Sequence, residues 1–247
     1  MRESSFPGRD GATLAYREVG TGRPLILLHG LLGDGTLWTR HGQAAALADA
    51  GFRVILPDFR GHGASAKPHD PAAYPPDVLA DDGLALIEHL GISAYDLGGY
   101  SLGARIAFRM LVLGATPARL IVAGQGLREL LGTGGGAGAR LRRAVEGTFE
   151  PGSAEERLAQ WLESSGEDQV AVVRALDSVV TTPEDVVARI PTPTLVAIGA
   201  DDERAPSADE LVAILPRATK ATVPGDHVTA ITAPELVAAM VEALRAR

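Results

Sequence analysis

The chain has 247 residues, 46% of them apolar and 22% charged, enough to bury a sizeable core and ordinary for a globular protein. A formal net charge of −8, with no basic stripe on any predicted helix, argues against a nucleic-acid surface, which relies on clustered Lys and Arg. With no cysteine, thiol catalysis, disulfides and Cys-ligated zinc are excluded, and no run approaches the ~20 apolar residues of a membrane span.

The opening "MRESSFPGRDGATLAYREVG" carries no apolar h-region, so no secretory signal is expected and the expected location is cytoplasmic. "RPLILLHG" (23–30) is a continuous apolar run ending in Gly, as a strand buried on both faces would be. "FRVILPDFRG" (52–61) repeats the pattern ahead of a Gly-rich loop. "PPDVLADDGLALIEHLG" (75–91) has prolines at its start, apolar residues at helical spacing and Gly91 as a stop, so a helix is predicted there.

Next come "YDLGGYS", a predicted helix from about Leu102 to Leu113, and the run "RLIVAG" (119–124). After Gly124 the character changes: "LGTGGGAGAR" is glycine-rich, and the stretch to about Val187 reads helical throughout. The strand pattern returns in "LVAIGADD" (195–202) and "TKATVPGDH" (219–227). "APELVAAMVEALRAR" closes the chain as an amphipathic helix with Pro234 near its first turn. Alternating strands and helices predict an α/β fold, a mostly parallel sheet with helices on both faces. The core is expected to span 1–124 and 188–247, with a helical insertion at 125–187.

Gly99-Tyr100-Ser101-Leu102-Gly103 fits G-x-S-x-G, in which small neighbours let a sharp turn push the serine oxygen out of the backbone. The bland alternative is a helix N-cap serine. Acyl chemistry through serine needs a base for its proton, a group orienting the base, and donors aimed at the developing oxyanion. Loops at the carboxyl ends of parallel strands are where such groups converge. Ser101, Asp202 and His227 all fall in such loops, in the order Ser…Asp…His.

Five pieces in order, "HGLLGD" (29–34), "PDFRGHGAS" (57–65), "GYSLG" (99–103), "IGADD" (198–202) and "GDH" (225–227), make the chain resemble an α/β-hydrolase of the serine hydrolase branch. The resemblance covers nearly the whole length apart from the middle helical segment. It implies Ser101 as nucleophile, His227 as general base and Asp202 as orienting acid, three residues after Gly199. Asp201 is the competing acid, disfavoured by that spacing. The implied oxyanion donors are the backbone N–H groups of Leu31 and Leu102. Two positions depart from the family pattern: Asp226, where Gly is usual and where a tolerance of unusual φ is expected to preserve the loop, and Ala104, where a second Gly is common.

His29 and His62 lack partners at metal-ligand spacing and are expected to hydrogen-bond structurally; no metal and no cofactor are expected. Trp38 and Trp161 are candidate pocket walls, with packing alone the equal alternative. A serine nucleophile sets the chain apart from the dehalogenase and epoxide hydrolase branches, which form an ester on aspartate. The activity expected is therefore carboxylesterase or lactonase chemistry, with water and a small to medium, mostly apolar acyl substrate as partners, beneath a cap of about 60 residues. A C–C bond hydrolase, a cofactor-free perhydrolase and a slow-turnover ligand receptor on the same fold remain alternatives.

Overall fold

The computed structural model describes residues 1–134 and 136–246. One eight-stranded sheet carries the chain, built from β1 (Arg2–Pro7), β2 (Thr13–Val19), β3 (Arg23–Leu28), β4 (Phe52–Pro57), β5 (Asp96–Tyr100), β6 (Leu120–Ala123), β7 (Thr194–Gly199) and β8 (Ala218–Val223). Their spatial order is β1-β2-β4-β3-β5-β6-β7-β8. From β4 through β8 every neighbouring pair is parallel, while β1 pairs β2 and β2 pairs β4 antiparallel. The α/β-hydrolase fold expected from the sequence is the fold observed.

The opening hairpin is not among the elements expected from the sequence. Its signal was nevertheless present: Phe6, Leu14 and Tyr16 are buried while their strand neighbours are exposed or half-buried, the period-two pattern of a half-covered strand. β3 and β4, by contrast, are apolar on both faces because helices cover both. Leu25, Ile26, Leu27 and Leu28 are all fully buried.

Two helices the reading passed over, α1 (Gln43–Asp49) and α9 (Ala205–Ile214), join the expected α2 (Val78–His89), α3 (Leu102–Val112) and α10 (Pro234–Arg245) around the sheet. One face of the sheet packs its apolar side chains with α2, α3 and α9, the other with α1 and α10. Pro75 and Pro76 lie ahead of α2 rather than inside its first turn, and Asp77 marks the start with a φ of 66°.

Between β6 and β7 the chain runs through α4 (Leu127–Leu130), α5 (Ala137–Glu146), α6 (Ala154–Ser165), α7 (Gln169–Asp177) and α8 (Glu184–Val187). Of the glycine tract at 132–138, Gly135 lies outside the described residues. Leu141, Ala144, Leu162 and Val172 form a small apolar cluster of their own, with Leu31 and Leu32 against it. Leu127, Leu130, Ala175 and Val187 pack into the main core instead, so the apolar spacing of this segment serves both its own helices and the sheet. No helix among the described residues is long and apolar enough to cross a membrane.

Candidate active site

After β3 the next strand forms on one side and β5 on the other, so the loops that follow β3 and β5 leave adjacent strands at a point where the sheet order reverses. Gly30 and Ser101 meet there: a Cβ built on Gly30 would lie 3.6 Å from the Ser101 Cβ. Ser101 has φ 54° and ψ −116°, and with Asp77 it is one of two non-glycine residues with positive φ among those described. Such a backbone costs about 1–3 kcal/mol for a residue carrying a Cβ and persists only where its surroundings over-determine it.

Those surroundings are the glycines of the motif. A Cβ on Gly99 would sit 2.2 Å from the Gly103 carbonyl carbon, and one on Gly103 would sit 2.5 Å from the Leu28 carbonyl oxygen. β5, α3 and β3 therefore touch backbone to backbone, which is the physical need behind both glycines. Ala104, at the second departure from the family pattern, is accommodated fully buried.

The structure brings Ser101, His227 and Asp202 together. His227 Nε2 lies 2.9 Å from Ser101 Oγ, and its Nδ1 lies 2.9 Å from Asp202 Oδ2. Asp202 is buried, whereas Asp201 faces solvent. The other Asp202 oxygen accepts from the Arg204 backbone N–H at 3.0 Å and from its guanidinium at 3.1 Å. Burial alone would raise the Asp202 carboxyl, but His227 and Arg204 outweigh it and hold the group below the usual carboxylate range. Its charge is therefore in place beside the imidazole at neutral pH.

Among the described residues, neither the Leu31 nor the Leu102 N–H donates to another protein group, and both residues line the same cavity as Ser101. Two buried histidines support this loop. His29 Nε2 accepts from the Phe59 N–H at 2.9 Å, and His62 Nε2 lies 2.5 Å from the Leu31 carbonyl oxygen. Burial pushes His29 down to about 3 and also lowers His62, so both stay neutral and structural, as expected.

Tyr100 escaped the sequence reading. Its phenol donates to the His227 carbonyl at 2.8 Å, and its ring centroid lies 5.6 Å from that of the imidazole. The strand residue before Ser101 thus positions the loop that bears His227. In that loop the left-handed position falls on Gly225, at φ 101°, and not on Asp226. No tolerance of unusual φ is needed at Asp226; its exposed carboxylate accepts from the Val228 and Thr229 N–H groups and the Thr229 hydroxyl, closing the turn.

A cavity of about 430 Å³ opens over Ser101. Much of its wall comes from the segment after β6, including Gln125, Arg128, Thr133 and Arg140, with Arg105 of α3 and Arg204 completing it. The wall mixes polar and apolar surface about equally, with Leu31, Leu102 and Leu176 beside the charged groups. Trp38 and Trp161, expected as candidate pocket walls, are corrected, since neither lines the cavity. Trp38 is fully buried, its indole N–H directed at the Leu28 carbonyl, and it packs edge-on to Tyr100. Trp161 is 44% exposed on α6. Among the described residues no cluster of His, Asp or Glu is arranged to hold a metal ion.

A family model described as the alpha/beta hydrolase fold matches residues 23–120. An epoxide hydrolase of Caballeronia sordidicola is 35% identical over 104 residues, 42% of this chain and 31% of the relative. The non-heme chloroperoxidase CPO-A1 of Kitasatospora aureofaciens is 38% identical over 95 residues, 38% of this chain and 33% of that protein. The matched stretch thus spans about a third of the length of these curated relatives. A thermophilic esterase from Thermogutta terrifontis superposes with a TM-score of 0.78 at 26% identity, covering 99% of this chain and 98% of its own.

Proposed function

We propose that this chain, which has the α/β-hydrolase fold, is a serine hydrolase cleaving a carboxylic ester or lactone through an acyl-enzyme. The observation that carries this reading is the unbroken line Ser101 Oγ, His227, Asp202, with 2.9 Å at each contact, at a serine whose backbone is held left-handed. An N-cap serine has no use for that strain, and none is paid by a side-chain cap bond here.

In this reading His227 Nε2 takes the Ser101 proton as Oγ attacks the carbonyl carbon. The Leu31 and Leu102 N–H groups receive the oxyanion, and Asp202 holds the imidazole in the tautomer with its proton on Nδ1. His227 then protonates the departing alcohol oxygen. Water enters, loses its proton to His227, attacks the acyl carbon and returns Ser101 with release of the acid. The segment 125–187 serves as a cap, since it supplies much of the cavity wall. The esterase neighbour supports the choice of bond. A nucleophile that is serine sets the reaction apart from an ester formed on aspartate, despite the epoxide hydrolase among the relatives.

The similarity to a chloroperoxidase favours one second reading, in which hydrogen peroxide replaces water at the acyl-enzyme and releases a peracid. Steady-state hydrolysis of 4-nitrophenyl acyl esters of graded length, with and without added peroxide, separates the two. Saturable ester hydrolysis that peroxide leaves unchanged supports the hydrolase. Product partitioning to peracid at low peroxide supports the second reading, and no turnover above the Ser101→Ala background defeats both.

A further inference from the structure

Arg105 lies four residues after Ser101 on α3, one helical turn along the same side. It lines the cavity over Ser101 and also a second, more open space of about 470 Å³ that continues from it. Its Nε is buried without a hydrogen-bond partner, and among the described residues its guanidinium joins no carboxylate. This is unlike the two buried arginines, Arg60 and Arg109. Arg60 sits between Asp10 and Asp82, and Arg109 is held by both oxygens of Asp77. Arg174 also has an unpartnered Nε, but it lines neither cavity.

The other charges of the wall each have a counter-charge or donor nearby. Arg128 pairs with Glu210 and Arg204 with Asp202, while Arg140 lies 3.9 Å from Glu203. Glu129, the acidic group whose field reaches Arg105, accepts instead from the Ser207 hydroxyl at 2.8 Å and the Gly126 N–H at 3.1 Å. Gln125 repeats the pattern: it is 5% exposed, lines the same cavity, and its Oε1 meets no donor. Arg105 is half-buried, and withdrawing its Nε from water without an acceptor is costly; burial moves the group below the usual arginine range. The cavity therefore holds one unmatched cation and one unmatched acceptor, in a chain whose net charge is −8.

We propose that Arg105 is a carboxylate-recognising residue, and that the substrate is an ester or lactone whose acyl part carries a second, free carboxylate. This rests on the serine hydrolase reading for the position of the scissile bond. The acyl side is assigned by the location of His227. The leaving alcohol must lie at His227 Nε2 to receive its proton, whereas the cavity that Arg105 lines is walled by Ser101 and not by His227. The carboxylate forms charge-assisted hydrogen bonds to the guanidinium, and Gln125 Oε1 takes an N–H or O–H of the acyl chain. Hydrolysis then adds one water and releases one proton, giving an alcohol and a dicarboxylate from an ester, or a single hydroxy-dicarboxylate from a lactone.

The test uses the full chain with 4-nitrophenyl glutarate monoester and 4-nitrophenyl valerate, which differ in whether the acyl chain ends in carboxylate or methyl. After subtraction of spontaneous hydrolysis, the wild type is expected to favour the monoester in kcat/KM, mainly through KM. Arg105→Met should cut that preference about ten- to a hundred-fold, and Arg105→Lys should restore part of it. Equal kcat/KM for the two esters in the wild type overturns the proposal. So does a preference that survives undiminished in an Arg105→Met protein with native circular dichroism. If neither ester is hydrolysed, the serine hydrolase reading fails separately, and glutarate itself becomes the probe. Thermal stabilisation by glutarate that is lost in Arg105→Met and partly kept in Arg105→Lys supports the carboxylate site, and no stabilisation of the wild type overturns it.

Discussion

At Ser101 the left-handed backbone, the two glycines beside it and the loop after β3 act together, so that the hydroxyl projects toward His227 and two undirected N–H groups. These residues were legible from the sequence because the chemistry restricts which residue types can serve, and their order along the chain is itself a constraint. Asp202 against Asp201 was decided by spacing, and burial now separates them physically. Asp202→Asn should lower kcat by about 10³–10⁴-fold, because an amide cannot support the imidazolium and its NH₂ favours the wrong tautomer. Asp201→Asn should stay within a few-fold, as checked by steady-state ester kinetics on both variants. Arg105, Gln125 and Tyr100 were not legible. Arginine on a helix commonly meets solvent or a carboxylate, and only the tertiary arrangement reveals that none arrives at Arg105. The partner of the Tyr100 hydroxyl is likewise 127 residues away in the chain.

Among the elements, α3 matters most, because its first turn carries both a proposed oxyanion donor and Arg105 while pressing against β3 and β5. Gly103→Ala would place a methyl 2.5 Å from the Leu28 carbonyl oxygen and 2.7 Å from that of His29, both backbone atoms with little room to yield. The helix must lift away, at a cost of about 1–3 kcal/mol typical of overpacking, and Ser101 must move with it. A Tm lower by roughly 2–12 °C is expected, with ester turnover falling by more than the loss of folded protein explains. An unchanged melting curve and turnover would mean that α3 stands farther from β3. The parallel strands and the helices α2, α3 and α10 were readable because their apolar periods are strong. The opening hairpin was missed although Leu14 and Tyr16 alternate correctly, since polar residues fill its outward face and dilute the run. In the segment of α4 to α8, helical character was readable but its role was not. Apolar spacing does not say whether a face packs on a neighbouring helix or over a substrate, and here part of it packs on itself and part on the main core.

Across the whole molecule, one sheet with apolar layers on both faces brings the loops after β3, β5, β7 and β8 to one edge, and two buried neutral histidines brace that edge. This arrangement makes stability depend on pH with a definite sign. His29 is depressed from 6.5 to about 3 by burial, so between those values the unfolded chain binds a proton that the folded chain refuses. Stability should therefore fall as pH drops from about 6.5 toward 3, with His62 acting in the same direction. His29→Gln retains an acceptor for the Phe59 N–H but cannot take up a proton, so its Tm should fall less steeply across that window. Equal slopes for the two proteins would show that His29 does not contribute to acid sensitivity.

The central claim is that Ser101 is an activated nucleophile driven by His227, and reaction of the intact protein with a fluorophosphonate tests it most directly, followed by mass spectrometry of the adduct. One equivalent should attach, and peptide mapping should place it on Ser101. The adduct should be absent in Ser101→Ala, and labelling should be slowed about 10³-fold or more in His227→Ala. No adduct on Ser101, or labelling at the same rate without His227, would contradict the account.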